Sequence, residues 1–246
     1  MKGKLFQNKI IALIPARQGS ERIKNKNIAK ISNHPLIAHT IIAAKRTDLF
    51  SNIVVSTNSI RYSKIAKKYG AEVPFLRPNN ISTSHSADYE WVNFTIKKLK
   101  KMGFFFSHFF ILRPTNPFRT SSTILRAWNQ FKKHKNADSL RAVETCNQHP
   151  GKMWLKSKRF IKPFFPGKKH NQPYYNLQFK SLPKILVQNA SLEISKVKVL
   201  SLYKSITGKK IIPFYTKGIE GFDINYQHDL KYAHFLAKKN KIKIKK

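Results

Sequence analysis

The sequence IIALIP at residues 10–15 is the strongest indication of the fold, because it is an uninterrupted apolar run between a polar lead and a polar loop. The sequence RQGS follows directly at residues 17–20. An apolar run of this length that ends in a polar loop is typical of a buried parallel strand. We therefore expect a first strand here and the first helix only after the loop.

Strand and helix patterns alternate along the rest of the chain. The sequence predicts strands at residues 52–56, 73–76, 105–112 and 138–143, and helices at 35–46, 59–69, 87–101, 120–131 and 229–239. Gly70 is expected to end the second helix. The alternation predicts an α/β fold with a doubly wound, mostly parallel sheet and helices on both faces.

One proline-rich and aromatic segment interrupts this rhythm at residues 148–183. We expect it to leave the sheet as an excursion that serves dimerisation or covers the substrate. The 246 residues otherwise suit a single domain over residues 1–240, followed by a frayed basic tail at 241–246.

Several classes of protein are not expected. No apolar run approaches the ~18 residues of a membrane-spanning helix, and the N-terminus lacks the pattern of a signal peptide. A single cysteine, Cys146, forms no internal disulfide and makes only half a zinc site with His149. The spacings of metalloproteases and serine hydrolases are missing. A cytoplasmic protein without a membrane partner is expected.

The chain is strongly basic, with 48 Lys and Arg against 11 Asp and Glu and a net charge of +37. Such a charge attracts nucleic acid, anionic lipid or phosphorylated substrates. Lysine is nevertheless spread along the whole chain with abundant Ile, Asn and Phe, a pattern typical of codon bias. A nucleic-acid partner is therefore not the first expectation.

The loop ARQGSERIKNKN at residues 16–27 combines four cationic side chains with Gly19 and Ser20 after the first strand. Backbone N–H groups and cations at such a place converge on phosphates, which indicates a triphosphate site. The spacing matches neither the P-loop nor the dinucleotide fingerprint. A solvated basic loop is the alternative.

The loop and later segments together resemble the acylneuraminate cytidylyltransferases, the CMP-sialic acid synthetase family. The resemblance is carried, in the family's order, by IPARQGSERIKNKN (14–27), PLIAHTIIAA (35–44), VVSTNS (54–59), LRPTNPFRT (112–120) and EGFDINYQHDL (220–230). It covers about residues 10–240. It implies a Rossmann-like nucleotidyltransferase fold, a homodimer, and the joining of a nine-carbon acidic sugar to CMP from CTP with release of pyrophosphate.

The resemblance implies a nucleotide site and a metal site. The nucleotide residues would be Ala16, Arg17, Gly19, Ser20, Arg22, Lys26, Asn27, Arg77, Ser86 and Asp88. Arg17, Lys26 and Asp223 would be catalytic, and Asp223 with Asn225 would hold Mg²⁺ at the end of a strand. The family has a second aspartate where Asn225 stands. Asp223 capping a turn, Asn225 capping a helix, and Asp88 favouring a helix dipole are the alternatives.

The resemblance places the acidic sugar near Arg113, Thr115, Asn116, Gln188 and Asn189. A structural salt bridge is the alternative role for Arg113, and a half-buried strand end is the alternative for the two amides. The identity of the sugar stays open, as does that of any general base. Two rival functions are activation of an eight-carbon deoxy-octulosonate and nucleic-acid binding by a catalytically impaired relative.

Overall fold

The computed structural model describes residues 9–240, so the predicted basic tail lies outside the described residues. The chain forms two compact units, the smaller being Val143–Gln188 and the larger comprising the described residues before and after it. The predicted excursion at 148–183 falls within the smaller unit. Within residues 9–240, no helix is both long and apolar enough to cross a membrane.

The elements follow one another along the chain in short segments. The strands are β1 (Ile10–Pro15), β2 (Lys30–Ile31), β3 (His34–Pro35), β4 (Asn52–Ser56), β5 (His108–Ile111), β6 (Ser139–Thr145), β7 (Trp154–Ser157), β8 (Phe160–Pro163), β9 (Lys168–Lys169), β10 (Gln172–Pro173), β11 (Leu186–Lys196) and β12 (Ile211–Tyr215). The helices are α1 (Leu36–Lys45), α2 (Ile60–Lys68), α3 (Asp88–Lys101), α4 (Ser121–Lys133), α5 (Lys198–Tyr203) and α6 (Gln227–Lys239).

A six-stranded sheet organises the larger unit in the order β12, β6, β11, β5, β1, β4. Strand β1 pairs in parallel with both β4 and β5, whereas β11 runs antiparallel to β5. The predicted mostly parallel sheet is thereby confirmed. Because β1, β4 and β5 point the same way, the loops that follow them open at one edge of the sheet.

The strand β1 is buried on both faces, as its continuous apolar sequence predicts. Ile10, Ala12 and Ile14 belong to a core cluster that includes residues of α1 and α4. Ile11 and Leu13 belong to a second cluster, formed largely with α3. Alternate residues of a strand point to opposite faces, so helices cover both sides of the sheet.

Most predicted elements are confirmed, with small shifts at their ends. Strand β4 has the predicted bounds, and α2 is capped by Ser59, whose Oγ accepts a hydrogen bond from the Tyr62 N–H at 3.4 Å. Gly70 follows that helix with φ +90°. Strand β5 begins at His108 rather than at residue 105.

Two sequence-based predictions about strands are wrong. Residues 73–76 form no strand, and only the preceding residue, Glu72, makes a single bridge with Val54. Pro74 has no N–H to donate, which prevents a continuing ladder. Asp223 does not end a strand either, because it follows the 3-10 turn Gly218–Gly221 that comes after β12.

The buried aromatic packing of β5 yields a test of the core. Phe110 is fully buried, 5.0 Å from the Phe50 ring and 5.9 Å from the Trp128 ring between centroids. We expect Phe110→Ala to lower the free energy of unfolding by about 3–5 kcal/mol, measured by urea denaturation. The control Phe235→Ala, on the exposed side of α6, should change it by less than about 0.5 kcal/mol. Equal losses would contradict this account of the core.

Candidate active site

A cavity of about 290 Å³ opens at the carboxyl end of β1 and β5. From the loop after β1, the predicted residues that line it are Arg17, Ser20, Arg22, Lys26 and Asn27. From elsewhere in the larger unit, the predicted lining residues are Arg77, Ser86, Asp88, Arg113 and Thr115. Most of the predicted nucleotide-binding residues and two of the predicted sugar-binding residues therefore line the same cavity.

Backbone contacts hold the start of the loop after β1. The Ala16 N–H donates to the Ser56 carbonyl at 2.9 Å, which extends the pairing of β1 with β4. The Gln18 N–H donates to Asn58 Oδ1 at 2.8 Å. The loop is therefore fixed by the segment that follows β4, and Ala16 lies buried beneath it rather than on the cavity wall.

Side chains of the loop hold its own backbone in place. Arg17 Nη1 donates to the Gly19 carbonyl at 2.7 Å, and Asn27 Nδ2 donates to the Arg17 carbonyl at 3.1 Å. Asn27 is buried in the 3-10 turn Lys26–Ile28. Arg17 and Asn27 therefore shape the loop as well as line the cavity, and Ser20 lines it too.

Lys26 links the loop to the segment that contains Asp223. Its Nζ donates to the Ile224 carbonyl at 2.9 Å, and the Ile224 N–H donates to the Thr115 carbonyl at 2.9 Å. Burial lowers the pKa of Lys26, and the nearby Asp223 carboxylate partly offsets this effect. Lys26 and Asp223 thus lie close together beside the cavity.

One carboxylate oxygen of Asp223 accepts a hydrogen bond among the described residues, and the other does not. Asn225 Nδ2 donates to Asp223 Oδ2 at 2.7 Å, while the buried Asp223 Oδ1 has no hydrogen-bond partner within residues 9–240. The helix α6 is capped by Asp229, whose Oδ2 accepts from the Asn225 and Tyr226 N–H groups at 2.8 and 2.7 Å. Asn225 therefore orients Asp223, and its side chain does not cap the helix.

Arg77 brings a buried positive charge to the cavity wall. Its Nη2 donates to the Ser56 carbonyl at 2.7 Å and its Nε to Ser56 Oγ at 3.0 Å. The guanidinium lies over the Trp91 ring, 4.9 Å from the centroid. Burial lowers the pKa of Arg77 to about 10, so the group stays charged at neutral pH.

Arg113 and Asp88 form the centre of an ion-pair network. Arg113 Nη2 lies 2.6 Å from Asp88 Oδ2 and 2.8 Å from Glu193 Oε1, and Arg141 Nη2 lies 3.2 Å from Glu193 Oε2. Burial would lower the pKa of Arg113, but the Glu193 and Asp88 carboxylates outweigh it and raise that pKa. Trp91 Nε1 also donates to Asp88 at 2.8 Å. Arg113 thus forms structural ion pairs with Asp88 and Glu193.

Three predicted sugar-binding residues lie apart from the cavity wall. Asn116 is buried, and its Nδ2 donates to the Glu220 carbonyl at 2.5 Å while its Oδ1 accepts from two backbone N–H groups. Asn189 Nδ2 donates to Thr216 Oγ1 at 2.9 Å. Gln188 belongs to the smaller unit. The amides of Asn116 and Asn189 thus make internal contacts.

Sequence reasoning missed two residues that shape the site. Trp91 of α3 is buried in the core and also lines the cavity, and its position three residues after Asp88 places both on one helix face. Glu193 is 80 residues from Arg113 along the chain, and no local pattern connects them. Only the pairing of β11 with β5 brings that carboxylate to the site.

The cavity carries an excess of positive charge. Arg17, Arg22, Lys26 and Arg77 line it, and none of the four forms an ion pair within the described part of the chain. Glu21 and Asp88 also line it, but Asp88 is already paired with a fifth cation, Arg113. A polyanion would neutralise the four remaining charges, so the cavity suits a polyphosphate.

Comparison with known proteins supports the same interpretation. The fold is similar to that of a CMP:2-keto-3-deoxy-manno-octonic acid synthetase whose structure was solved with CTP, at a TM-score of 0.70 and 13% identity over 95% of this chain and 100% of that one. The fold is that of the Rossmann-like nucleotidyltransferases. A family model described as cytidylyltransferase matches residues 11–209. The chain belongs to the cytidylyltransferase family.

Two relatives illustrate the breadth of that family. A CMP-N,N'-diacetyllegionaminic acid synthase from Legionella pneumophila is 42% identical over 48% of this chain and 51% of its own length. A post-translational flagellin modification protein B from Campylobacter coli is 31% identical over 97% of this chain and 99% of its own length. The first match spans about half of the Legionella protein, and the second is nearly complete.

The ion pair of Asp88 yields a pH-dependent test. Burial would raise the pKa of Asp88, but the charge and hydrogen bonds of Arg113 and the Trp91 hydrogen bond outweigh it and lower that pKa. The resulting stabilisation is fully present above the ordinary aspartate pKa of about 4 and is lost as the pH falls through the lowered value. We expect Asp88→Asn to reduce the free energy of unfolding at pH 7, and the difference to vanish in acid.

Urea denaturation of both proteins at several pH values measures this difference. Asp48→Asn is the matched control, because Asp48 is exposed and has no ion pair among the described residues. It should change the unfolding free energy little at any pH. A difference for Asp88→Asn that persists unchanged in acid would show that the ion pair does not stabilise the fold.

Proposed function

We propose that the protein joins a nine-carbon 2-keto sugar acid to CMP, using CTP and releasing pyrophosphate. The observation that carries this proposal is the cavity at the carboxyl end of β1 and β5, lined by cations in a chain of the cytidylyltransferase family. The relative named as a legionaminic acid synthase supports the nine-carbon class of sugar. The likeness to an octonic acid synthetase supports only the fold, at 13% identity.

In the proposed reaction, the anomeric hydroxyl of the sugar attacks the α-phosphorus of CTP. A new oxygen–phosphorus bond forms, the bond between the α-phosphorus and the bridging oxygen to the β-phosphorus breaks, and pyrophosphate leaves. The hydroxyl proton passes to solvent or to a general base. Arg17 and Lys26 would neutralise the negative charge that grows on the departing pyrophosphate, without a covalent enzyme intermediate.

The position of Lys26 supports its catalytic role. Its Nζ is anchored by the Ile224 carbonyl at 2.9 Å beside Asp223, so its charge needs little rearrangement to meet a phosphate. Arg22, whose guanidinium lies 4.9 Å from the Tyr226 ring centroid, and Ser20 line the same cavity. Arg77, held by Ser56 and Trp91, would contribute a fixed positive charge for the nucleotide.

The donors at Asp223 fit a magnesium ion. A buried carboxylate oxygen without a hydrogen-bond partner is a ready ligand for a hard cation, and Asp223 Oδ1 has this character. No cluster of three or more His, Cys, Asp or Glu suited to a metal occurs within residues 9–240. Mg²⁺ commonly takes one or two carboxylates together with substrate phosphates. When bound, it would supply positive charge to the phosphate oxygens.

We propose fewer sugar-binding residues than the sequence predicts. Thr115 lines the cavity and offers a hydroxyl to the substrate. Arg113 also lines it, but two carboxylates already neutralise its charge. The sugar carboxylate would therefore bind Arg113 only by sharing it with Asp88 and Glu193. The internal contacts of Asn116 and Asn189 leave them as positioning residues.

Exposed apolar side chains of the smaller unit support the proposal of a homodimer. We place the homodimer in the cytoplasm, where CTP is available. Strands β7 and β8 pair as an antiparallel hairpin, and this unit exposes several large apolar side chains. Phe160 is 78% exposed, and Ile161 and Phe164 are also exposed. Apolar clusters of this kind commonly mark protein–protein contacts.

The first experiment measures pyrophosphate release with Mg²⁺, each nucleoside triphosphate, and a panel of nine-carbon and eight-carbon 2-keto sugar acids. We expect release only with CTP and one nine-carbon acid.

Lys26→Met should lower kcat about 10²-fold or more, because charge stabilisation in the transition state is lost. Lys30→Met is the matched control, since Lys30 is exposed and lies outside the cavity lining. Asp223→Ala should abolish release, whereas Asp48→Ala should not.

A measurement of CTP binding distinguishes a cytidylyltransferase that is inactive on this panel from a nucleic-acid-binding relative. At a CTP concentration 100 times Kd, the folded state should gain about 2.7 kcal/mol, which a thermal unfolding scan detects as a raised Tm. Release with an eight-carbon acid would redirect the proposal to that sugar class. A Tm unaffected by CTP, with RNA binding that falls steeply with salt, would refute the enzymatic proposal.

Sedimentation equilibrium tests the homodimer. We expect the wild-type chain to have twice the mass of one chain at assay concentrations, and Phe160→Ser with Ile161→Ser to shift it toward the monomer because apolar contact area is lost. Ile60→Ser, an exposed apolar residue on α2, is the control and should leave the mass unchanged. A monomeric wild-type protein would contradict the proposal.

A further inference from the structure

A second basic surface lies at the amino end of the parallel strands, where β5 begins. We call it the basal patch and define it as Lys97, Lys98, Lys100, Lys101, Met102 and Phe104. All six residues are exposed. They form the last turn of α3 and the start of the connection to β5, so the patch combines clustered lysines with apolar side chains.

Hydrogen bonds fix the apolar part of the basal patch. The Gly103 N–H donates to the Lys100 carbonyl at 3.1 Å, and the Phe104 N–H donates to the Leu99 carbonyl at 3.0 Å. Gly103 has φ +87°, a conformation that glycine adopts without strain. The chain therefore turns sharply and holds Met102 at 51% and Phe104 at 39% exposure beside the lysines.

The end of α2 has the same geometry without exposed apolar residues. There the Gly70 N–H donates to the Lys67 carbonyl at 2.9 Å, and the Ala71 N–H donates to the Ala66 carbonyl at 3.2 Å. Two exposed lysines, Lys67 and Lys68, again occupy the last turn, but Ala71 is buried. Lysines at a helix end are explained by the helix dipole, whereas an exposed Phe104 is not.

A neighbouring segment extends the basal patch. The Val197 N–H donates to the Ser107 carbonyl at 2.9 Å, and Leu200 of α5 shares a core cluster with α3. Lys198 and Lys204 are exposed there, as is Leu202 at 63%. Neither residues 97–107 nor residues 196–206 contain an Asp or Glu. Positive charge and apolar side chains thus continue across both segments without a counter-charge of their own.

We propose that the basal patch docks on the surface of an anionic lipid bilayer. Clustered lysines are attracted to anionic headgroups, and exposed apolar side chains insert between them. RNA is the less suitable partner: a base can stack on Phe104, but Met102 and Leu202 offer it no ring, whereas aliphatic and aromatic side chains both insert among lipid headgroups. The proposal departs from the sequence-based expectation of no membrane partner, and it requires no spanning helix.

Docking at the basal patch would leave the cavity accessible. Lys196 is paired with His108 at the start of β5, whereas the cavity lies beyond the end of that strand. The patch and the cavity therefore lie at opposite ends of the sheet. Substitutions in the patch touch no residue of the cavity, so vesicle binding can be tested independently of the proposed enzymatic activity.

Co-sedimentation of the full chain with vesicles tests the proposal. Vesicles of phosphatidylcholine alone are compared with an equimolar mixture of phosphatidylcholine and phosphatidylglycerol. We expect binding to the anionic vesicles only. Lys100→Gln with Lys101→Gln should weaken it roughly thirty-fold, at about five-fold per lysine. Met102→Ser with Phe104→Ser should weaken it roughly ten-fold or more, because apolar insertion is lost.

Two matched controls separate docking from the general effect of a basic chain. Lys67→Gln with Lys68→Gln removes the same charge from the same position in α2, and Tyr232→Ser with Phe235→Ser removes exposed rings from α6. Both should bind vesicles within two-fold of the wild type, roughly the effect of a surface change away from the contact. An unchanged thermal unfolding temperature shows that each variant is folded.

Three results would overturn the proposal. The first is an equal loss of vesicle binding in the patch and control lysine variants. The second is vesicle binding that neither patch variant weakens. The third is an absence of vesicle binding together with binding of polyuridylate that the patch lysine variant weakens, which would assign the surface to RNA.

Discussion

Parallel pairing of β1 with β4 and β5 is the constraint on which the site depends. It directs the loops that follow these strands to one edge of the sheet, where Arg17 and Arg113 line one cavity together with Arg77, which is hydrogen-bonded to Ser56 at the end of β4. The pairing is stabilised from both faces, because alternate residues of β1 are buried in different core clusters. The apolar core thus holds like charges closer together than they would remain in an unfolded chain.

The concentrated positive charge has an energetic consequence. Arg77 and Arg119 are buried and lack a carboxylate partner within the described residues, and burial lowers their pKa values to about 10 and about 9. Carbonyl and hydroxyl oxygens accept their hydrogen bonds, among them those of Ser56 for Arg77 and Thr40 for Arg119. Both remain charged at neutral pH. Uncompensated cations oppose folding but prearrange a field into which a polyphosphate can bind without reorganising the protein.

The two ends of the sheet carry different kinds of basic surface. At the carboxyl end, cations surround a cavity and are fixed by hydrogen bonds to the backbone, as Lys26 is by Ile224. At the amino end, the lysines of the basal patch are exposed beside Met102 and Phe104. The basic residues therefore line a cavity at one end, where most of them are arginines, and form a solvated lysine surface at the other. Net charge alone does not distinguish them.

Local sequence was enough to predict the α/β alternation, the bounds of β4, the end of α2 before Gly70 and the loop that lines the cavity, because each depends on residues close together in the chain. It also indicated the family, whose signature segments are continuous. The ion pairs of Arg113 could not be predicted in this way, since Glu193 reaches it through the antiparallel pairing of β11 with β5. The hydrogen bond from Asn225 to Asp223 and the burial of Asn116 likewise emerge only from the folded chain. Burial and partners across distant segments depend on strand order and register, which no local pattern encodes.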